Sequence, residues 1–374
     1  MKLKLLPLLL FFAGISLQAQ KYFPTNAGVK AAENTNYTVF KNAKIHTDPS
    51  TVIENGMFAI QDGKITAVGK SIDIPKNSVV IDLQGKEVYP SFIDLFSEFG
   101  IKKPERAKSN GQPQYEASRE GYYWNDHIRP STNAVKFFNY DKAAASEYQK
   151  NGFGVVNTHM PDGIIRGTGM LVALNTEGTN GDRILNDRSA QYYSFDKSVQ
   201  SQQSYPTSIM GVMALIRQVY MDAQWYAGGN SNTKDLSLEA INRNKNLVQI
   251  FRTDNLLNSL RADKVGDEIG MQFVILGSGN EFERLDEVKN TNATFIVPLD
   301  FPDAYDVEDP FLTNYISLHD MKVWNEAPAN LKMMADKNIP FTLTTYSLKD
   351  PKKFHTNLLK AIDYGLDESK ALAA

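Results

Sequence analysis

The strongest constraint on this chain is an alternation of two periodicities. Short apolar runs at 88–95, 154–158, 170–174, 191–195, 247–251, 272–276, 294–299 and 341–345 have the length and content of buried strands. Helical spacing of apolar residues fills 134–150, 208–226, 254–269, 282–289, 331–337 and 352–364, between many of them. Strands that alternate with helices call for parallel pairing, because a helix carries the chain back to the same end of a sheet. Eight such strands over about 285 residues have the size and wiring of a (β/α)8 barrel of the TIM type. A doubly wound open sheet is the alternative, but no glycine-rich phosphate loop follows any early strand. The fold class expected is therefore α/β.

Ahead of that pattern, 37–45, 57–60, 64–68 and 79–82 show period-two alternation, with turn residues at Glu54-Asn55-Gly56 and Asp62-Gly63. They are expected to form a small antiparallel sheet belonging to a β-sandwich. The chain opens MKLKLLPLLLFFAGISLQAQ, with Lys2 and Lys4 before an apolar run of about 13 residues and a cleavage site after Ala19. That run is shorter than the ~20 residues needed to span a bilayer, so it reads as a signal peptide. No Cys follows the site, which excludes a lipoprotein, and a periplasmic or secreted destination is expected, with no membrane association after cleavage. The expected divisions are 1–20, signal peptide; 21–88, sandwich segment; and 89–374, barrel, with an insertion at 101–131.

Several function classes fall away on composition. Forty Lys and Arg against 43 Asp and Glu leave a net charge of −3, with no cation excess to hold nucleic acid. The absence of cysteine removes disulfides, thiolate zinc sites, iron–sulfur clusters and a Cys nucleophile.

Particular residues then point to a family. Lys44-Ile45, Asp62-Gly63-Lys64-Ile65-Thr66-Ala67-Val68-Gly69 and Ile81-Asp82-Leu83-Gln84-Gly85-Lys86-Glu87-Val88-Tyr89-Pro90-Ser91-Phe92-Ile93-Asp94 resemble the start of the amidohydrolase superfamily, in its imidazolonepropionase-like branch. Asn151-Gly152-Phe153-Gly154-Val155-Val156 is similar to the family's second strand, and Ile339-Pro340-Phe341-Thr342-Leu343 to its eighth. The resemblance implies a small β-sandwich beside a barrel, and hydrolysis of non-peptide C–N bonds through zinc or another divalent ion that activates a water. It also implies a His-x-His after strand one, one His each on strands five and six, and an Asp on strand eight.

At those positions this sequence carries Phe96, Glu98, Phe251, Leu276 and Tyr346. The chain has five histidines, His46, His127, His159, His319 and His355, and none falls in 88–100, 247–254, 271–279 or 294–302. No small change of register restores the set. A phenyl or isobutyl group has no lone pair for a metal, so no metal is expected and the chain reads as a degenerate copy. Asp94, Glu98 and His159 remain as residual candidates for acid–base work, with Asp300, Asp303, Thr344 and Thr345 also near strand ends. The plain alternative is that all are leftover polar residues at a solvated mouth. His46, His319 and His355 read as structural or exposed.

Two segments lie outside the expected barrel core. The insertion contains Tyr122-Tyr123-Trp124, a possible binding loop or a patch packed on its own barrel. The run 205–229, with Met210, Met213 and Met221, reads as a buried helix. The end of the chain, 363–374, resembles the start of the helix that leads, in the family, to the return strands of the sandwich. A companion amidohydrolase domain or a downstream segment is therefore expected to complete that sandwich. Three functions stay open: a non-catalytic scaffold or binding module, a hydrolase with a rebuilt metal-independent carboxylate site, and a periplasmic sugar- or peptide-binding module.

Overall fold

The computed structural model describes residues 36–108, 121–175 and 177–374. The expected signal peptide and residues 109–120 of the insertion lie outside the described residues. Contacts divide the rest into two units, 36–47 with 51–89, and 48–50 with 90–374.

The first unit is a sheet of β1 (Tyr37–His46), β2 (Val52–Gln61), β3 (Lys64–Gly69), β4 (Ser78–Asp82) and β5 (Glu87–Val88). Its order is β3-β2-β1-β4, with β5 also on β1. Asp62 and Gly63 both have positive φ, 50° and 72°, which makes the β2–β3 connection a two-residue turn of the twist that hairpins favour. Two expectations are corrected here. Glu54-Asn55-Gly56 is not a turn between strands but part of β2, where Asn55 (φ 52°) faces a register shift in β1 around Ala43. A Cβ on Gly56 would stand 2.7 Å from Ile45 Cδ1, so a larger residue there would have to move that side chain. The sheet is also mixed, because β4 and β5 pair β1 in parallel.

In the second unit all eight expected strand runs appear, together with two short strands, at 165–168 and 184–186, that were not expected. They are β6 (Phe92–Ser97), β7 (Phe153–Thr158), β8 (Ile165–Thr168), β9 (Met170–Ala173), β10 (Ile184–Asn186), β11 (Ala190–Ser194), β12 (Val248–Arg252), β13 (Phe273–Leu276), β14 (Phe295–Pro298) and β15 (Phe341–Thr344). The run at 88–95 is cut by Pro90, which has no N–H to give a ladder, so 87–88 stays with the first unit and 92–97 opens the second. The architecture is mixed α/β, with strands in two sheets, β10-β9-β7-β6 and β15-β14-β13-β12-β11-β8.

From β11 to β15 every neighbour is parallel, as is β6 with β7. The third strand departs from an all-parallel ring: β9 runs antiparallel to β7, and β8 antiparallel to β11. Gly169 is the reason one segment can serve both sheets. A Cβ there would meet the Tyr192 ring at 2.5 Å and the Thr158 carbonyl at 2.8 Å, so only glycine lets the backbone pass between them.

Helix starts follow capping chemistry. Asp141, Ser208, Asp235 and Asn255 accept backbone N–H groups ahead of the helices Lys142–Lys150, Ile209–Ala227, Leu236–Asn244 and Leu256–Ile269. The Asp141 cap is what splits the expected helix at 134–150. The helix at 209–227 is amphipathic rather than buried all round: Val212, Leu215, Ile216, Val219 and Ala223 face inward, while Met210 and Met221 are exposed. Alternate strand residues enter two clusters. Phe251, Phe273, Phe295 and Val297 pack with the helices, whereas Ile250, Leu276 and Ile296 pack with Phe96 and Tyr192. Both faces of the large sheet are thus covered, which is why its strands are continuous apolar runs.

Candidate functional site

The site lies where β6, β7, β11, β12 and β15 end, on the Phe96–Tyr192 side of the sheets. Asp94, fully buried in β6, is held by four donors. Its Oδ1 accepts from Thr344 Oγ1 (2.6 Å) and the Phe96 amide (3.1 Å), and its Oδ2 from Thr345 Oγ1 (2.6 Å) and the Thr345 amide (3.1 Å). Burial pushes its pKa up, against the hydroxyls and amides that pull it down. Thr344 Oγ1 also lies 3.1 Å from the Phe96 carbonyl. Asp94 is thus the clamp between β6 and the end of β15.

Phe96 is fully buried, with its ring centroid 4.5 Å from His159 and 4.8 Å from Tyr346. His159, just after β7, lies flat on Tyr192 at 3.9 Å and 3°. Its Nδ1 is 3.0 Å from the Ser97 carbonyl, which can only accept, so Nδ1 carries the proton. Nε2 then accepts from Arg166 Nη1 at 3.3 Å. Burial, then the Arg166 charge, holds the imidazole well below its usual range, so it is neutral. The Tyr192 hydroxyl is buried with no hydrogen-bond partner among the described residues.

Above these lies a pair of guanidiniums. Arg166, in β8 and 4% exposed, also donates Nε to the Gly163 carbonyl at 3.2 Å. Arg252, the last residue of β12, donates Nε to the Tyr346 hydroxyl at 3.1 Å. Both reach one oxygen, Asp196 Oδ2, Arg166 at 3.5 Å and Arg252 in closer contact. Burial, then the charge of Arg252, pushes the Arg166 pKa down to about 10. Beside them Lys103 pairs with Glu98 at 2.9 Å, on the wall of a cleft of about 690 Å³ that Tyr148, Thr345 and Tyr346 also line.

The residual candidates therefore part company. Asp94 and His159 are buried in finished hydrogen-bond sets, and Glu98 is ion-paired at the cleft. Among the positions to which the resemblance assigns ligands, Phe96 and Leu276 are buried in the inner apolar cluster and Tyr346 packs against it. Phe251 is corrected: it faces the helices, 4.7 Å from the Phe195 ring and 5.2 Å from Phe273. A strand alternates with period two, so the β12 side chain that reaches the mouth is its neighbour Arg252. Sequence inspection missed Arg166, Asp196 and Arg252. The available signal was an arginine directly after the 247–251 run and another four residues ahead of the 170–174 run.

The possible binding loop is placed against helices. Tyr123 is buried, its hydroxyl donating to Asp222 at 2.7 Å and its amide to Ser237 Oγ at 3.2 Å. Tyr122 and Trp124 are exposed, and Trp124 stacks on Tyr205 with centroids 6.1 Å apart. Asp300 and Asp303 lie beyond β14, Asp303 3.6 Å from Lys353.

A divalent ion does not suit these residues. Both His159 nitrogens and both Asp94 oxygens are engaged, one of the nitrogens by the Arg166 guanidinium, whose charge disfavours a second cation beside it. Among the described residues, no group of three or more His, Asp or Glu side chains is arranged to hold a metal.

No family profile matches the sequence, and no curated protein matches it. Solved structures do. An amidohydrolase from Thermotoga maritima superposes with a TM-score of 0.65 at 18% identity, over 89% of this chain and 85% of that one. The chain has the amidohydrolase fold. A second amidohydrolase (TM-score 0.47, 13% identity, 90% of this chain and 84% of that one) and a prolidase complexed with N-methylphosphonate-L-proline (0.45, 13%, 90% and 84%) superpose more loosely. Within the amidohydrolase fold, the strand ends that form this mouth carry a clamp, an aromatic floor and an arginine pair.

Proposed function

We propose that this chain is a non-catalytic member of the amidohydrolase fold, in which the two sheets together make a modified (β/α)8-type barrel whose mouth binds a ligand without hydrolysing it. The observation that carries it is Arg252. This side chain occupies the β12 position at the mouth, tied to Tyr346 and Asp196. A cation fixed there repels a divalent ion, the group that polarises the carbonyl in the family chemistry. The acid–base alternative has Glu98 as its base, yet Glu98 is neutralised by Lys103 rather than aimed at a nucleophile.

The test is turnover of N-acyl amino acids and cyclic amides by the whole protein, with and without added zinc. No hydrolysis above buffer is expected, and no stoichiometric metal after dialysis. Hydrolysis that disappears in Glu98→Gln would establish the rebuilt carboxylate site instead, and a tightly held metal would restore the family chemistry.

A further inference from the structure

The two arginines at the mouth are unequal partners of their shared carboxylate. Arg166 is fixed on three sides, by the Gly163 carbonyl, by His159 Nε2 and by Asp196. Arg252 is fixed through Nε to Tyr346. Asp196 is the loose member, with a side chain 58% exposed against 4% for Arg166 and 25% for Arg252. A guanidinium has five N–H donors. To described residues Arg166 gives three and Arg252 two. One buried and one partly buried cation thus converge on one oxygen of a solvent-facing carboxylate, with donors to spare. Their other acidic neighbours are already engaged: Glu98 by Lys103, and Asp254 by Asn255 and Asn258.

Burying charged donors is costly unless an acceptor of opposite charge meets them, and two rigid guanidiniums match a carboxylate in the plane of the fork. The exposed Asp196 satisfies that demand with one oxygen only. We propose that the mouth binds a small carboxylate-bearing ligand, its carboxylate seated on Arg166 and Arg252 in place of the Asp196 side chain. Tyr346 links this seat to the adjoining cleft: its hydroxyl takes Arg252 Nε and its ring lines the cleft wall. At about 690 Å³ the cleft has the volume of a small-molecule site, so the remainder of the ligand lies there, against Tyr346 and Tyr148. Asp196 then acts as an internal competitor that the ligand displaces. The inference rests on the binding function proposed above and deepens it by naming the ligand class.

N-benzoylglycine is a suitable probe because it carries both a carboxylate and a hydrolysable amide. Calorimetry on the whole protein would compare it with neutral N-benzoylglycinamide and with inorganic phosphate. The carboxylate is expected to bind at least about tenfold more tightly than the amide, the equivalent of 1.4 kcal/mol. Arg252→Gln is expected to remove that difference, and Asp196→Asn to strengthen carboxylate binding about threefold or more by abolishing the competitor. Asp196 is exposed, so its variant tests the proposal even if Arg252→Gln does not fold. Equal binding of acid and amide, tighter binding of phosphate, or unchanged or weaker carboxylate binding in Asp196→Asn would each overturn it. Release of benzoate from bound probe would overturn the non-catalytic function while leaving the carboxylate seat standing.

Discussion

His159 shows how much of this site's character is carried by single side chains. Its proton sits on Nδ1 because the Ser97 carbonyl can only accept, and the ring is neutral because it is buried beside Arg166. The folded protein therefore binds this proton less readily than the unfolded chain, whose imidazole titrates near ~6.5. Stability is fully present above that value and falls as the pH drops below it, by up to about 1.4 kcal/mol per pH unit for one histidine. His127 is shifted downward too, chiefly by burial, and adds the same sign. Asp263 works oppositely: burial and Asp267 push it up to about 6, so it favours folding as the pH falls through that value. Urea unfolding in an Asp263→Asn background should therefore show stability declining from pH 6.5 to 5.5, with a shallower slope once His159→Gln is added. Equal slopes would mean that His159 is not held neutral by the fold.

At the scale of elements, one ring of the aromatic triplet in the segment after β6 is an anchor. Tyr123 reaches Asp222 on the helix Ile209–Ala227 and Ser237 on the helix Leu236–Asn244, while Trp124 stays about half exposed on Tyr205. Deleting a buried large aromatic costs about 3–5 kcal/mol, and an exposed one much less. Thermal or urea denaturation should therefore rank Tyr123→Ala as a loss of about 3 kcal/mol or more and Trp124→Ala as about 1 kcal/mol or less. The reverse order would show that Trp124 is the anchor. The triplet itself was legible in the sequence. Which of its three rings is buried was not, because the partners lie about a hundred residues away on two helices.

At the scale of the molecule, the two units differ in how well they cover their apolar surface. In the second, β12, β13 and β14 are buried on both faces. In the first, Ile65, Val68, Val79, Val80 and Ile81 are all exposed, and among the described residues β4 pairs only β1. An edge strand rich in exposed valine and isoleucine is a surface that other strands pair with, and its amides open easily. Hydrogen exchange should be faster at 78–82 than at 295–297, and self-association at rising concentration should weaken in Ile81→Lys. Slow exchange at 78–82 in a monodisperse monomer would show the sheet to be self-sufficient.

The order of strands and helices was written in the local pattern, since apolar periodicity and capping residues act over a few positions. The eight runs and the helix starts at Ser208 and Asn255 followed from it, whereas the helix capped by Asp235 was not read. The resemblance at 81–94 and the lack of histidine at the strand ends were read from residue identities. Tertiary structure alone decided the direction of the third strand, because Gly169 has meaning only once Thr158 and Tyr192 close on it. It alone turned Phe251 towards the helices and brought Arg252 to the mouth, since a strand's apolar content does not say which face each residue takes when both are covered. And it alone joined Arg166, Asp196 and Arg252. Their charges lie up to 86 positions apart in the sequence, and they meet only because the ends of β11 and β12, which are parallel, lie beside the start of the antiparallel β8.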